Sequence, residues 1–284
     1  MTQEPDDRTE FTNLLRRKNV TSWSENIGLK RLSNQRSILV ATSVIKSGEV
    51  ILKGDMSDAL EFHLVQETLK MGANISLSPE ASVHCHFAVL LALQMIKDKS
   101  VSYWQIPDIN YFKTYFPILW DEKLQASLPE EAKVWLAVQQ DRLDIDWAHA
   151  KESLKANWTD VGKSSTSTWE IFLRAWLYVE SRAYKDTRYD TVLSSATLQP
   201  DDRQVLFPVI DHLTLDPKGC KVHIDKGSYM FEATREYKPR QPIGLLCGNN
   251  EIDLLITCGA TTQSLESPEA SSNESLLNNT NPWL

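Results

Sequence analysis

The run S-T-W-E-I-F-L-R-A-W-L-Y-V-E-S-R-A-Y, from Ser167 to Tyr184, opens with a serine three residues ahead of a glutamate. Ser167-x-x-Glu170 is a capping box and predicts the start of a helix. Phe172, Ala175, Trp176, Val179 and Ala183 then recur at helical spacing. Arg182 follows Ala175 by seven positions, which is about 700° and about 20° short of two full turns. It therefore lies on or beside the apolar stripe, where an unpaired charge is costly. Either it pairs with a buried carboxylate or it faces a ligand. Asp211, closing the apolar run Phe207-Pro208-Val209-Ile210-Asp211, is the partner candidate.

Working outward, the period changes on both sides. Upstream, Ser37 to Thr42 is rich in β-formers, Ser47-Gly48-Glu49 signals a turn, and Val50-Ile51-Leu52 reads as a second strand. Before them, Phe11 to Trp23 contains a short amphipathic helix with Leu14 and Leu15 on its apolar side. Residues 80 to 190 read as helical. Val83 to Ile96 is apolar on nearly every side and predicts a buried helix; Leu128 to Gln139 and Asp144 to Ala156 predict two more. Downstream, Pro208 to Ile210, Lys221 to Ile224, Tyr229 to Ala233 and Ile243 to Leu246 are strand-like. Asp216-Pro217, Lys218-Gly219 and Lys226-Gly227 break them. Strands, helices, then strands predicts an α+β fold with a helical insertion.

Composition narrows the classes of function. Thirty basic residues against 38 acidic give a net charge of −8, which disfavours a broad grip on nucleic acid or anionic lipid. The longest apolar stretch, Phe87 to Leu93, is too short to span a bilayer, and the acidic start lacks a signal-peptide core. Four cysteines without C-x-x-C spacing argue against a zinc ribbon and a disulfide framework. The expectation is a cytoplasmic protein, with the nucleus as the alternative, acting on a small molecule and not on nucleic acid or membrane. Its oligomeric state is left open.

Catalytic signatures are sparse. His84-Cys85-His86 places two histidines about 200° apart on a helix, so they do not share one metal readily, and no metal is expected. There is no G-x-S-x-G elbow, no Walker loop and no G-x-G-x-x-G. Ten glycines in the whole chain leave little for phosphate-cradling loops.

The motifs carry a resemblance. Phe172-x-x-Ala175 followed by Val179-Glu180-Ser181-Arg182-Ala183-Tyr184 is similar to the F-x-W-A…v-x-S-R-a-f signature of SET-domain proteins. The branch concerned includes Rubisco lysine methyltransferase and actin-histidine methyltransferase. Leu206-Phe207-Pro208-Val209-Ile210-Asp211 resembles the L-v-P-l-x-D of that branch, and Ala233 to Pro239 its A-x-R-x-Y-k-p. Leu39 to Leu52, Leu119-Trp120-Asp121, and Leu254-Leu255 with Gly259 are similar to further family segments. The resemblance covers residues 11–262 in order and implies a SET-like β-fold split by a helical insertion at about 80–190. The expected organisation is an N-terminal segment with a short helix over 1–24, a SET-like domain over 25–262 and a disordered tail over 263–284, poor in apolar residues.

The methyl-transfer motifs depart from the family pattern. Where it has D-l-l-N-H, whose last two residues bind S-adenosylmethionine, the chain has Asp211-His212-Leu213-Thr214-Leu215. The catalytic tyrosine position falls on Cys247, the early G-x-G near Gln35-Arg36-Ser37, and the G-E-q turn on Arg240-Gln241-Pro242. The family's helical substrate-binding domain has no counterpart in 263–284. A tyrosine hydroxyl orients the attacking amine, and a cysteine has neither its reach nor its hydrogen bond. No cofactor is therefore expected.

Three readings stay open. The first is a repurposed, non-methylating enzyme of a fungal-type secondary-metabolite pathway, best stated as a pericyclase that folds a polyene or polyketide-like molecule for a Diels–Alder-type closure. In it Arg182, Thr214 and Tyr229 are the candidate catalytic hydrogen-bond donors, while Tyr178, Asp211, Phe231 and Cys247 line the substrate. The second is a non-catalytic SET-like binding protein. The third is a SET-domain protein-lysine methyltransferase with a divergent cofactor site.

Overall fold

A computed structural model describes residues 7–32, 37–97, 104–157, 167–185, 204–216, 218–246 and 251–259. In chain order the helices and strands are α1 (Asp7–Arg17), β1 (Val20–Trp23), β2 (Ile27–Arg31), β3 (Ser37–Ala41), β4 (Val50–Asp55), β5 (Leu60–Glu61), α2 (Phe62–Ala73), α3 (Val83–Lys97), α4 (Ile109–Tyr115), α5 (Glu122–Ala126), α6 (Glu130–Asn157), α7 (Thr168–Arg182), β6 (Tyr184–Lys185), β7 (Gln204–Leu206), β8 (Thr214–Asp216), β9 (Lys221–Asp225), β10 (Ser228–Glu232), β11 (Gly244–Leu246) and α8 (Glu251–Cys258). The chain divides into two compact units, one from Met1–Ala59 and Phe207–Asn249, the other from Leu60–Leu206 and Asn250–Ala260.

The first unit is a β-unit. Its largest sheet has the order β1-β4-β10-β9, with antiparallel neighbours. The β9–β10 hairpin is closed by Lys226 and Gly227, both at positive φ (47° and 78°), as a two-residue turn of this twist requires. Tyr229 and Phe231 alternate inward from β10 and meet Phe207, with ring centroids 4.7 and 5.8 Å away. β2 pairs with β3, and β8 pairs with β11 in parallel.

The second unit is the helical insertion with a small antiparallel sheet, β5-β7-β6. α3 packs along α7 and α6, and its continuous apolar surface is buried, as the sequence predicts. Ser167 accepts a hydrogen bond from the Glu170 N–H and caps α7. Residues 132, 136, 139, 143, 146, 150 and 154 form the inner face of α6. This steady spacing of three and four carries one helix through the stretch where the sequence suggests two.

Other expectations are corrected too. Pro208–Ile210 is a turn leading into a 3₁₀ segment (Ile210–His212), because Ile210 and His212 N–H groups bond back to Phe207 and Val209 carbonyls. Residues 251–258 are helical, where strands and turns are expected. α2 stands outside the predicted helical region. The proposed tail over 263–284 lies outside the described residues.

Candidate functional site

In the β-unit the described residues of the segments that carry the departed motifs come together. Thr214 stands opposite Gly244, Leu215 opposite Leu245 and Asp216 opposite Leu246. The two positions of the family's Asn-His pair thus lie side by side with Gly244 and Leu245 of β11, two and three residues before Cys247, itself outside the described residues. His212 Nδ1 lies 3.2 Å from both Oγ and the carbonyl oxygen of Ser37, the last residue of the segment matched to the early G-x-G. Arg240, standing where the family turn has glycine, keeps a left-handed backbone (φ 71°), and its N–H donates to the Ala41 carbonyl at 2.7 Å.

The polar groups at this junction are engaged within the protein. Thr214 donates its hydroxyl proton to the Ile243 carbonyl (3.3 Å), which also accepts from the Thr214 N–H (3.1 Å). Asp211, 1% exposed, accepts from Lys18 Nζ at 3.2 Å, and His212 Nε2 is 3.6 Å from its other oxygen. Burial holds the Lys18 ammonium below its ordinary range, with Asp211 opposing that shift. Asp216 accepts from Arg235 at 2.7 Å, and the guanidinium lies 4.2 Å from the Tyr237 ring centroid. The Tyr229 ring covers Gly54 so closely that a Cβ there would strike it.

Lys18 and His212 complete this cluster without matching any of the sequence motifs. Lys18 was accessible by the same argument as Arg182: Phe11, Leu15 and Lys18 fall at i, i+4 and i+7, and all three are buried. No local signal marks His212, whose partners are set by the approach of β3.

Of the seven predicted site residues, Tyr229 and Phe231 are packed together at 5.8 Å, and Asp211 and Thr214 belong to the same unit. Tyr178 and Arg182 lie on α7 in the helical unit. Arg182 is buried, as its place on the stripe requires, and Tyr178 turns a ring edge to Trp104 at 6.2 Å.

The helical unit has its own buried network. Asp146 accepts from Ser82 Oγ (2.7 Å) and Trp176 Nε1 (2.8 Å), tying α3 and α7 to α6. His84 Nε2 donates to the Trp176 carbonyl (2.9 Å), while its Nδ1 is 3.3 Å from Glu180. Burial pushes the Glu180 carboxyl up, with Arg142 and Gln139 opposing. His86 instead turns to the Ser82 carbonyl (2.8 Å) and the Phe62 ring. Among the described residues no group of three His, Cys, Asp or Glu could hold a metal ion.

S-adenosylmethionine, the cofactor that the resemblance implies, is not fitted by these residues. Leu215 offers no polar group, and the Thr214 hydroxyl proton is committed to Ile243. The imidazole nearest the missing pair, on His212, is turned to Ser37 and Asp211.

Together the split β-unit and its helical insertion define an α+β SET-like fold. The chain is similar in structure to the SET domain of LSMT bound to lysine and AdoHcy, with a TM-score of 0.62 and 15% identity over 92% of this chain and 58% of that one. It is also similar to Rubisco LSMT bound to sinefungin and monomethyllysine, with a TM-score of 0.63 and 16% identity over 96% and 58%. The chain thus spans under two thirds of these proteins' length. No protein-family model and no curated protein matches it by sequence. Among the described residues no helix is long and apolar enough to cross a membrane.

Proposed function

We propose that this is a SET-fold protein that does not transfer methyl groups and acts by binding. The observation that carries the reading is the occupation of the methyl-donor junction by the protein's own contacts. Thr214 is bonded to Ile243, Leu215 is apolar, and Asp211 is held by Lys18. None of these groups supplies the amide or imidazole that the family uses to hold the methyl donor. The test incubates the full chain with tritiated S-adenosylmethionine and lysine- and histidine-bearing acceptor proteins. No incorporation above the protein-free background is expected; stoichiometric labelling of an acceptor overturns the reading.

A second reading, the pericyclase, is favoured by the aromatic interior of the β-unit, where Phe207, Tyr229 and Phe231 present uncharged surface suited to a polyene. Such a catalyst needs shape and a hydrogen-bond donor, with orientation contributing up to roughly 7–11 kcal/mol in favourable intramolecular cases. These three rings are fully buried, so substrate entry requires them to part. A linear polyene bearing an activated dienophile, incubated with and without the protein, tests it. An unchanged product ratio and rate removes this reading and leaves the first standing.

A further inference from the structure

Four side chains of the β-unit form a polar chain that ends on a hydroxyl. Lys18 Nζ lies 3.2 Å from Asp211 Oδ2, and Asp211 Oδ1 lies 3.6 Å from His212 Nε2. His212 Nδ1 lies 3.2 Å from Ser37 Oγ. Lys18, Asp211 and His212 are buried, whereas Ser37, the first residue of β3, is only half-buried. Ammonium, carboxylate, imidazole and hydroxyl thus run from three enclosed groups to one that a small molecule can touch.

We propose that Ser37 is a nucleophile toward small carboxylic esters, with His212 as its general base. Asp211 faces Nε2, which favours the tautomer that carries its proton there and turns the Nδ1 lone pair to the Ser37 hydroxyl. Lys18 offsets the buried carboxylate charge and holds it in place. The 3.6 Å separation is long for a hydrogen bond, as catalytic contacts often are before substrate binds. The Ser37 carbonyl oxygen also lies 3.2 Å from Nδ1 and accepts from it only after Nδ1 has taken the serine proton. The imidazolium formed during attack then has an acceptor at each nitrogen, so the surroundings favour the charge that develops. Asp211 is a positioning residue in this scheme, acting through His212.

The chemistry is ester hydrolysis in two halves. Ser37 Oγ bonds to the ester carbonyl carbon and gives its proton to His212 Nδ1. The bond from that carbon to the alcohol oxygen breaks, and the departing oxygen takes the proton. Water then attacks the acyl-serine, losing a proton to Nδ1, which returns it to Ser37 Oγ. Ester and water become acid and alcohol. This activity needs no methyl donor and goes beyond binding.

A fluorophosphonate probe and 4-nitrophenyl acetate, each offered to the full chain, test it. The expected result is one probe adduct per chain, located on Ser37 by peptide mass spectrometry and lost when the protein is unfolded in urea. Ser37→Ala should abolish the adduct and lower ester turnover at least about 100-fold, as should His212→Asn. Should His212→Asn fail to fold, the pH dependence of Ser37 labelling in the natural chain takes its place. That rate should follow one ionisation in the histidine range, belonging to the imidazole that Asp211, Lys18 and Ser37 surround. Asp211→Asn should move its midpoint downward, because the imidazolium loses the facing carboxylate. The proposal is overturned by the absence of an adduct on Ser37, or by Ser37→Ala turning over ester like the natural chain. Labelling that climbs in proportion to hydroxide, or a midpoint unmoved by Asp211→Asn, overturns it equally.

Discussion

Lys18 Nζ lies 3.2 Å from Asp211 Oδ2, and the two side chains, 193 positions apart, are 5% and 1% exposed. The pair fastens the end of α1 to the 3₁₀ turn that precedes β8. Taking both charges out of water is expensive, and their attraction offsets much of that cost only while both remain. Lys18→Met is therefore expected to destabilise the protein by about 3–5 kcal/mol, because it takes away the ammonium that the buried Asp211 carboxylate faces. Lys18→Met with Asp211→Leu should recover most of the loss. Urea unfolding followed by circular dichroism reads both. A double-variant loss equal to the sum of the Lys18→Met and Asp211→Leu losses would show that the pair is not coupled.

Asp146 is the corresponding hub of the helical unit. Asp146→Ala removes the acceptor for the half-buried Ser82 hydroxyl and for the buried Trp176 indole, at about 1–3 kcal/mol for the indole. A lowered melting temperature with shifted tryptophan emission is expected. Retention of both would place those donors on other acceptors.

Stability should fall at alkaline pH through a named pair. Burial pushes the Cys220 thiol up to about 12 from 9.0, with the hydrogen bond to Tyr237 opposing. Tyr237 is itself pushed up, chiefly by burial. The folded state thus keeps protons that the unfolded chain releases, so this stabilisation is full below pH 9 and lost progressively toward 12. Cys220→Ala should flatten that decline between pH 9 and 11, measured by urea midpoints. An unchanged slope would assign the alkaline loss elsewhere.

Gly54 has a steric role beneath Tyr229. Gly54→Ala should lower the urea midpoint because its Cβ meets the Tyr229 ring, and Gly54→Ala with Tyr229→Leu should regain part of the loss. A neutral single substitution would mean that the ring can move aside, which is what substrate entry in the pericyclase reading demands.

Much of this arrangement was legible in the sequence, and the exceptions have physical causes. The Ser167 cap, the buried α3 and the inward place of Arg182 follow from local periodicity, and the structure bears them out. The Lys226-Gly227 hairpin follows from turn chemistry. The motif order suggested a SET-like β-fold with a helical insertion, which the solved structures share. Less visible were features set by distant partners. β8 is a three-residue strand whose pairing depends on β11, thirty positions on, so Thr214–Asp216 carries no strand signal of its own. α6 looked like two helices because its outer face is partly apolar, which blurs the period that its inner face keeps. The Lys18–Asp211 pair could be half seen: the stripe marks Lys18 as buried, but nothing local names its partner.

In the reading we propose, the SET fold persists here without its methyl-donor site. The decisive measurement is calorimetric titration of the full chain with S-adenosylmethionine, alongside the variant carrying Thr214→Asn and Leu215→His. No saturable heat is expected for the natural chain up to about 1 mM ligand, where binding is worth only about 4 kcal/mol. A 1:1 isotherm with a micromolar Kd in the natural chain would contradict it.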